Sequence, residues 1–264
     1  SAMFNWSRDR YYYHKIDPIY STQKPWVAEG ERWDWVAIYD YQRDPEGNIV
    51  HGSNGFPLVN KFTTLKGYSE PDWIWGLSTS VNWKGITLSI TIDGRVGGVG
   101  YSMTDQAMWN SGAHIDSDNQ YRYEEVVNNN KTFIGQGVKV VSGKAEWDAN
   151  GNVIMDNRVF APNDKVVSYQ DYMMTTNPYA SGDNKRAQNW FDKTFIKLRD
   201  LSISYEIPQS VCQKIGMKGA SVGFVGQNLL MWAKEFRFSD PDKVQDALSS
   251  PSIRYMGFNV KFDF

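Results

Sequence analysis

Alternating apolar and polar residues run to the last residue of the chain. Successive side chains of a β-strand point to opposite faces of a sheet, so this segment predicts a strand with one apolar and one polar face. In a soluble sheet the apolar face would cover a core, whereas in an outer-membrane barrel it would face lipid. One strand does not decide between the two. The apolar positions are Met256, Phe258, Val260, Phe262 and Phe264.

A second alternating segment predicts a hairpin in the middle of the chain. Apolar residues occupy most odd positions from Trp73 to Trp83, a tight turn is expected at Lys84-Gly85, and the alternation then resumes at Ile86. Each strand is close to the roughly 9–11 residues that cross a bilayer at a tilt. The two tryptophans lie at opposite ends of one strand, where interfacial aromatic belts occur. The segment therefore favours the membrane interpretation.

A third segment predicts a further pair of strands, Ile196–Ile207 and Ala220–Trp232. The apolar residues of the first strand change parity near Arg199, which predicts a β-bulge or register change there. Pro208 ends that strand, because proline cannot donate a hydrogen bond within a sheet. The short connection has the pattern of one helical turn ended by Gly216.

Short and long connections alternate along the chain, which is typical of outer-membrane barrels. The connections after Val81 and Ile207 are short, and those after Gly94 and Ala233 are long. We expect residues 1–3 to be a cloning remnant, residues 4–70 to form a strand and outer-loop region, and residues 71–264 to form the last barrel strands. Within the last region, residues 101–190 would form a long polar outer loop with small strands at 138–141 and 153–160.

The composition of the chain argues against several classes of protein. The net charge is −2 and the sequence has no basic tract, so a nucleic-acid partner is not expected. No apolar run approaches the roughly 20 residues of a membrane helix. The single cysteine excludes an intrachain disulfide framework. Aromatic residues make up 15% of the chain, which suits interfacial belts, sugar-stacking surfaces and β cores.

Several of these segments together resemble one family, the SusC/RagA-type TonB-dependent outer-membrane transporters. Asp192–Pro208 closely resembles a segment of these proteins, with Ile196–Pro208 as the most specific part, and Val222–Leu230 is similar to a strand of the same proteins. Asp240-Pro241 in a loop, Glu70–Trp73 and Tyr169–Tyr172 also resemble the family pattern. The resemblance extends in order from about residue 33 to residue 264.

The resemblance implies an all-β fold: antiparallel C-terminal strands of a large transmembrane β-barrel with long extracellular loops. It also implies a part of an importer of oligosaccharides or peptides in the outer membrane of a Gram-negative bacterium, in contact with lipid. The expected partners are a SusD-like surface lipoprotein and TonB, the latter through an N-terminal part that this sequence lacks. We therefore expect a C-terminal fragment, without enzymatic activity. The alternative is a soluble β-sandwich module that binds carbohydrate through surface aromatics.

Two sets of residues are candidate functional positions. Loop aromatics could stack on a substrate or contact the partner lipoprotein, although packing within the loops is the alternative for each ring; they are Trp109, Tyr121, Tyr123, Tyr172 and Trp190. The second set is expected to face lipid: Trp73, Trp75, Leu77, Val81, Trp83, Ile86, Leu88, Ile90, Ile92, Phe258, Val260, Phe262 and Phe264.

Cofactor and metal signals are weak. The three histidines, His14, His51 and His114, are too far apart in sequence to indicate a metal site, and no catalytic constellation is present. No cofactor is expected. The oxygen-rich segment 114–119 could offer ligands to calcium in an outer loop, but it lacks the spacing of an EF-hand.

Overall fold

The computed structural model describes residues 1–7, 32–60, 63–148, 153–176, 189–243, 246, 248 and 252–264. These residues are mostly β-strand with few helices, which confirms the all-β fold class. None of the helices in these ranges is long and apolar enough to cross a membrane. The strands are β1 (Ala2–Ser7), β2 (Trp35–Ile38), β3 (Val50–His51), β4 (Thr64–Tyr68), β5 (Trp73–Trp83), β6 (Ile86–Val96), β7 (Val99–Tyr101), β8 (Phe133–Ile134), β9 (Val138–Ser142), β10 (Ala145–Trp147), β11 (Val153–Asp156), β12 (Val159–Pro162), β13 (Val166–Val167), β14 (Trp190–Asp192), β15 (Phe195–Ile207), β16 (Gly219–Ala233) and β17 (Tyr255–Asp263), and the helices are α1 (Met103–Ser111), α2 (Gln120–Val127), α3 (Tyr169–Thr176) and α4 (Gln209–Cys212).

The longest strands form one open antiparallel sheet of six strands, in the order β1-β5-β6-β15-β16-β17. The predicted turn between β5 and β6 has positive φ at Lys84 and Gly85, the geometry that matches the twist of a two-residue hairpin. Helix α4 and a 3-10 turn connect β15 to β16, and the left-handed Gly216 ends that turn. The short connections lie at one end of the sheet and the long ones at the other.

The predicted irregularity in β15 is present. Its register shifts between Leu198 and Asp200 against both neighbouring strands. Arg199 is an extra residue relative to β6, whereas β16 has the extra residue relative to β15. On the neighbouring strand β16, Asn228 has a positive φ of 51° near the same position. The bulge reverses the alternation, and the apolar residues before and after it consequently lie on the same face of the sheet.

The sequence analysis missed strand β1. It pairs with β5 so that Ala2, Phe4 and Trp6 lie opposite Thr79, Leu77 and Trp75. Ala2 and Met3 belong to this strand. The interpretation of residues 1–3 as a cloning remnant stays a prediction. The large sheet thus has six strands where the sequence indicated five.

The remaining strands form a loop region at the end of the sheet that has the long connections; its described residues are 32–60, 63–68, 99–148, 153–176 and 189–192. Five small sheets lie in it: β12-β9-β3, β13-β8, β14-β7, β2-β4 and β10-β11. The strand expected over 153–160 is two strands, β11 and β12, because the strand pairing is interrupted at Asn157 and Arg158, where the Asn157 amide donates to the Lys144 carbonyl. The buried core of this region contains Ile38, Tyr41, Val50, His51, Val167, Tyr169 and Tyr172.

The sequence analysis also missed the helices of the loop region. Ser102 begins α1 by accepting a hydrogen bond from the Asp105 amide, and Gly112 ends it in a left-handed conformation. Asn119 begins α2 in the same way, by accepting from the amides of Tyr121 and Arg122. In the structure these capping residues define the ends of helices whose apolar periodicity is weak.

Candidate functional site

One face of the six-stranded sheet is apolar from edge to edge. The cross-strand register places apolar residues of all six strands side by side; one row runs through Val81, Leu88, Ile203, Phe224 and Phe258. In this row Val81 and Ile203 are exposed, Leu88 and Phe224 are half-buried, and Phe258 is 85% exposed. The apolar face comprises Ala2, Phe4, Trp6, Trp73, Trp75, Leu77, Thr79, Val81, Trp83, Ile86, Leu88, Ile90, Ile92, Gly94, Val96, Ile196, Leu198, Leu201, Ile203, Tyr205, Ile207, Ala220, Val222, Phe224, Gly226, Leu230, Trp232, Met256, Phe258, Val260 and Phe262.

Every sequence-predicted lipid-facing residue that lies in a strand belongs to the apolar face, and Phe264 follows directly after β17, its ring 6.5 Å from that of Phe262. An apolar area of this extent is unusual on a soluble monomer. Contact of these residues with lipid stays a prediction.

Aromatic residues lie at both ends of the apolar face. Trp6 and Trp73 are in edge-to-face contact at the loop end, with ring centroids 5.0 Å apart. Trp83 lies at the opposite end of the same strand as Trp73. Strand β5 has 11 residues, so it spans about 33 Å and covers about 25 Å of height at a tilt of about 40°. This height matches the apolar band of outer-membrane barrels.

The other face of the sheet is lined by small polar residues. Ser78 and Thr91 are hydrogen-bonded across β5 and β6 at 3.1 Å, and Asn82 donates to Thr87 at 2.8 Å. Ser89 donates to Ser80 at 3.0 Å on the same face. Hydroxyl and amide pairs of this kind suit a surface in contact with water.

A buried ion cluster lies on the polar face at the loop end. The Lys197 ammonium contacts both carboxylate oxygens of Asp240, at 2.5 and 2.6 Å, and one oxygen of Asp242 at 3.4 Å. Arg199 contacts both strand and connection: its Nε donates to a carboxylate oxygen of Asp93 at 2.7 Å, and its Nη2 donates to one of Asp242 at 2.5 Å. The cluster fastens the connection between β16 and β17 onto β6 and β15. The bulge is part of this arrangement, because it inserts Arg199 as the extra residue.

The two aspartates of the connection are charged. Burial alone would raise the pKa of Asp240, but hydrogen bonds from Lys197 and Ser252 hold that pKa below its ordinary value. The pKa of Asp242 is lowered in the same way, against burial, by Arg199 and Lys197. The sequence signal for this cluster was the Asp240-Pro241 segment, whose partners on β15 could not be identified without the register.

The loop aromatics are dispersed over the loop region. Trp109 on α1 stacks on the His114 ring with centroids 4.3 Å apart. Tyr121 on α2 is exposed and makes an edge contact with Phe133. Tyr123, two residues further along α2, is also exposed. These three residues lie around α1 and α2 and are accessible to a ligand or partner.

Trp190 and Tyr172 have different environments. Trp190 on β14 is half-buried, with its ring 5.5 Å from that of Tyr101. Tyr172 is 6% exposed, and its hydroxyl lies 3.0 Å from His51 Nε2 in the core of the loop region. Burial raises the pKa of Tyr172 to about 12 and lowers that of His51. Tyr172 therefore packs within the loop region, which is the alternative that was considered for each ring.

The oxygen-rich segment 114–119 is engaged in protein contacts. Asp116 forms an ion pair with Arg237 at 2.6 Å, and Asn119 caps α2. His114 is buried, with Nε2 3.2 Å from a carboxylate oxygen of Asp105, whose pKa is raised by burial. Across the described ranges, no three His, Cys, Asp or Glu side chains are grouped as metal ligands. Calcium binding stays a prediction.

Solved structures of a peptide transporter are similar to this chain. A structure of the RagAB peptide transporter aligns with 100% of the chain and 27% of its own chain, at 17% identity and a TM-score of 0.53. The RagAB peptide importer in its "open-open" state gives 17% identity and a TM-score of 0.52, covering 26% of that chain; its "closed-closed" state gives 16% identity and 0.52, covering 27%. The chain spans about a quarter of the length of these structures, and the similarity establishes the fold. No protein-family profile and no curated protein matches the sequence.

Proposed function

We propose that this chain forms part of the barrel wall and the outer loops of a TonB-dependent outer-membrane importer of glycans or peptides. The observation that carries the proposal is the six-stranded sheet with a continuous, exposed apolar face bounded by tryptophans and a polar opposite face. The similarity of the whole chain to RagAB structures supports the proposal at the level of the fold. Peptides are favoured as substrates because those structures are named as peptide transporters.

The energetics favour lipid as the medium that covers the apolar face. Transfer of a large apolar side chain out of water contributes about 1.5–3 kcal/mol, and the face carries many such side chains. A β-sandwich would cover them with a second sheet about 10 Å away. In the described ranges the small sheets of the loop region lie beyond the end of the large sheet, and the apolar side chains remain exposed. This arrangement disfavours the carbohydrate-binding sandwich.

The loop region supports a partner at the mouth of the importer. Helix α2 has no buried residue, and its apolar side chains Tyr123, Val126 and Val127 face outward together with Ile115. Val126 is 72% exposed. We propose that a SusD-like lipoprotein covers this patch. Coupling to TonB belongs to the proposal through the family resemblance alone.

Site-directed spin labelling of the full-length protein in liposomes tests the membrane assignment. In a Cys212→Ala background, single labels at Ile203 and Phe258 on the apolar face are compared with labels at the adjacent Ser202 and Asn259. We expect the first two to collide with dissolved oxygen and the second two with a water-soluble nickel complex.

The outcomes separate the two candidate functions. Alternation between oxygen and nickel accessibility supports a membrane-spanning sheet. Labels at Ile203 and Phe258 that are shielded from both reagents would show a protein core over this face, as in a sandwich, and would refute the proposal.

A further inference from the structure

A cleft of about 260 Å³ lies among α1, α2 and α3 in the loop region. Its walls combine an aromatic ring, aliphatic side chains and one guanidinium. This volume is smaller than the 300–1,000 Å³ of sites for drug-sized molecules, so it suits a single amino-acid residue. The lining side chains include Trp109, Arg122, Val126, Tyr169, Gln170 and Met173.

Arg122 is held in a fixed orientation at one side of the cleft. Its Nη1 donates to the Gly112 carbonyl at 2.7 Å and to Ser117 Oγ at 2.9 Å. Gly112 makes room for this contact, because a Cβ there would lie 3.0 Å from Nη2 of the arginine. The guanidinium is therefore positioned by the protein before any ligand arrives.

Arg122 also forms no ion pair with a carboxylate of the described residues. Of the arginines in the described ranges, only Arg122 and Arg254 form no ion pair with a carboxylate. Arg254 is exposed, whereas Arg122 is half-buried in the cleft. The neighbouring Glu125 is occupied by Ser168 Oγ at 2.6 Å and the Tyr169 amide at 2.5 Å. A fixed, half-buried guanidinium without a carboxylate partner suits a carboxylate supplied by a ligand, which it can bind in bidentate geometry.

We propose that this cleft binds the C-terminal residue of a peptide. The α-carboxylate lies on Arg122, and the apolar side chain packs between Trp109 and Met173. Capture of a terminal carboxylate by a preformed donor group is a known mode of peptide recognition. The aliphatic wall of Val126 and Met173 fits an apolar side chain better than a sugar ring. The inference rests on the proposed function, of which it specifies the substrate end.

Isothermal titration of the full-length protein in detergent tests the inference. The probes are a tripeptide that ends in leucine, as the free acid and as the C-terminal amide. Hydrogen bonds to a charged carboxylate increase affinity by about tenfold or more. We therefore expect the amide to bind at least about tenfold more weakly than the free acid. Arg122→Gln should weaken the free acid to the level of the amide and leave the amide unchanged. Trp109→Ala should weaken both forms equally.

Arg254→Gln is the matched control, since it removes the other arginine without a carboxylate partner, and both peptides should bind to it as to the wild type. Equal affinity of the free acid and the amide for the wild-type protein would overturn the inference, and this comparison requires no variant. Lack of binding of the free acid would also overturn it, as would Arg122-dependent binding of an oligogalacturonate in its place. Uptake of the labelled free acid and of the labelled amide by cells is measured in parallel, and equal uptake of the two forms would refute the cleft alone. The proposed function is tested separately, by the spin-labelling experiment: labels at Ile203 and Phe258 that oxygen does not reach would refute it.

Discussion

Replacement of Lys197 by methionine should strongly destabilise the junction between the large sheet and its loops. The side chains of Lys197 and Asp240 are each 2% exposed, and both carboxylate oxygens of Asp240 receive the ammonium. Methionine keeps most of the aliphatic stem but removes the charge. Among the described residues, Ser252 and the Asp242 amide then remain as donors to the Asp240 carboxylate. Removal of one partner of a buried ion pair costs about 3–5 kcal/mol, and we expect a loss of this size.

A second substitution separates the lost charge from lost packing. The double variant Lys197→Met/Asp240→Asn no longer contains the uncompensated charge. Its free energy of unfolding should therefore be larger than that of Lys197→Met by about 2 kcal/mol or more. The measurement is urea unfolding of the full-length protein in detergent micelles, followed by tryptophan fluorescence. Lys139→Met is the matched control, because its pair with Asp164 is exposed and should contribute about 0–1 kcal/mol.

The pH dependence of unfolding gives an independent test of the same pair. The folded-state pKa of Asp240 lies below its ordinary value of 3.8, so its contribution is present above that value and is lost as the pH falls through the lowered pKa. Asp240→Asn should lack this acid-dependent loss. If Lys197→Met costs no more than Lys139→Met, the argument that the buried cluster fastens the loop connection is wrong.

Three further predictions concern the two faces and the loop core. Gly94→Val should prevent correct assembly of the six-stranded sheet, because a Cβ at Gly94 lies 2.7 Å from a neighbouring carbonyl and a tryptophan ring; Gly76→Ala, with 4.0 Å of space, should assemble normally. Phe258→Arg should reduce stability by about 2–4 kcal/mol in liposomes and Asn259→Arg by much less, measured by urea unfolding; equal losses would contradict the assignment of faces. The raised folded-state pKa of Tyr172 means that its contribution to stability is complete below its unfolded value of 10.0 and is lost as the pH rises to about 12, which Tyr172→Phe should abolish in alkaline unfolding.

The strands of the large sheet could be predicted from the sequence because each carries its own period-two pattern. The hairpin at Lys84-Gly85 and the bulge at Arg199 were both identifiable in this way, since a parity change of the apolar residues is a local signal. β1 was missed because it is short and its apolar positions, Ala2 to Trp6, alternate with another apolar residue, Met3. The order of strands that are distant in sequence required the structure.

The loop region could not be derived in the same detail. Its strands have two to five residues, too few to establish a period. Its helices have weak apolar patterns and are defined mainly by the capping residues Ser102, Gly112 and Asn119. Such residues are equally common in turns, so they identify a helix only when the contacts on both sides are known.

The environment of each aromatic ring decided which candidate residues could contact a ligand, and the sequence contains no signal for that environment. Tyr172 and Trp109 each stand between a methionine and a polar residue in the sequence, yet the first is buried against His51 and the second lines the cleft of Arg122. The same holds for charge. Arg122 and Arg199 both lie near acidic residues in sequence, but Arg199 pairs in space with Asp93 and Asp242, which are distant in sequence, and Arg122 pairs with no carboxylate in the described ranges. A binding site in this region therefore depends on which charge the fold leaves without a partner, and that property follows from the tertiary contacts.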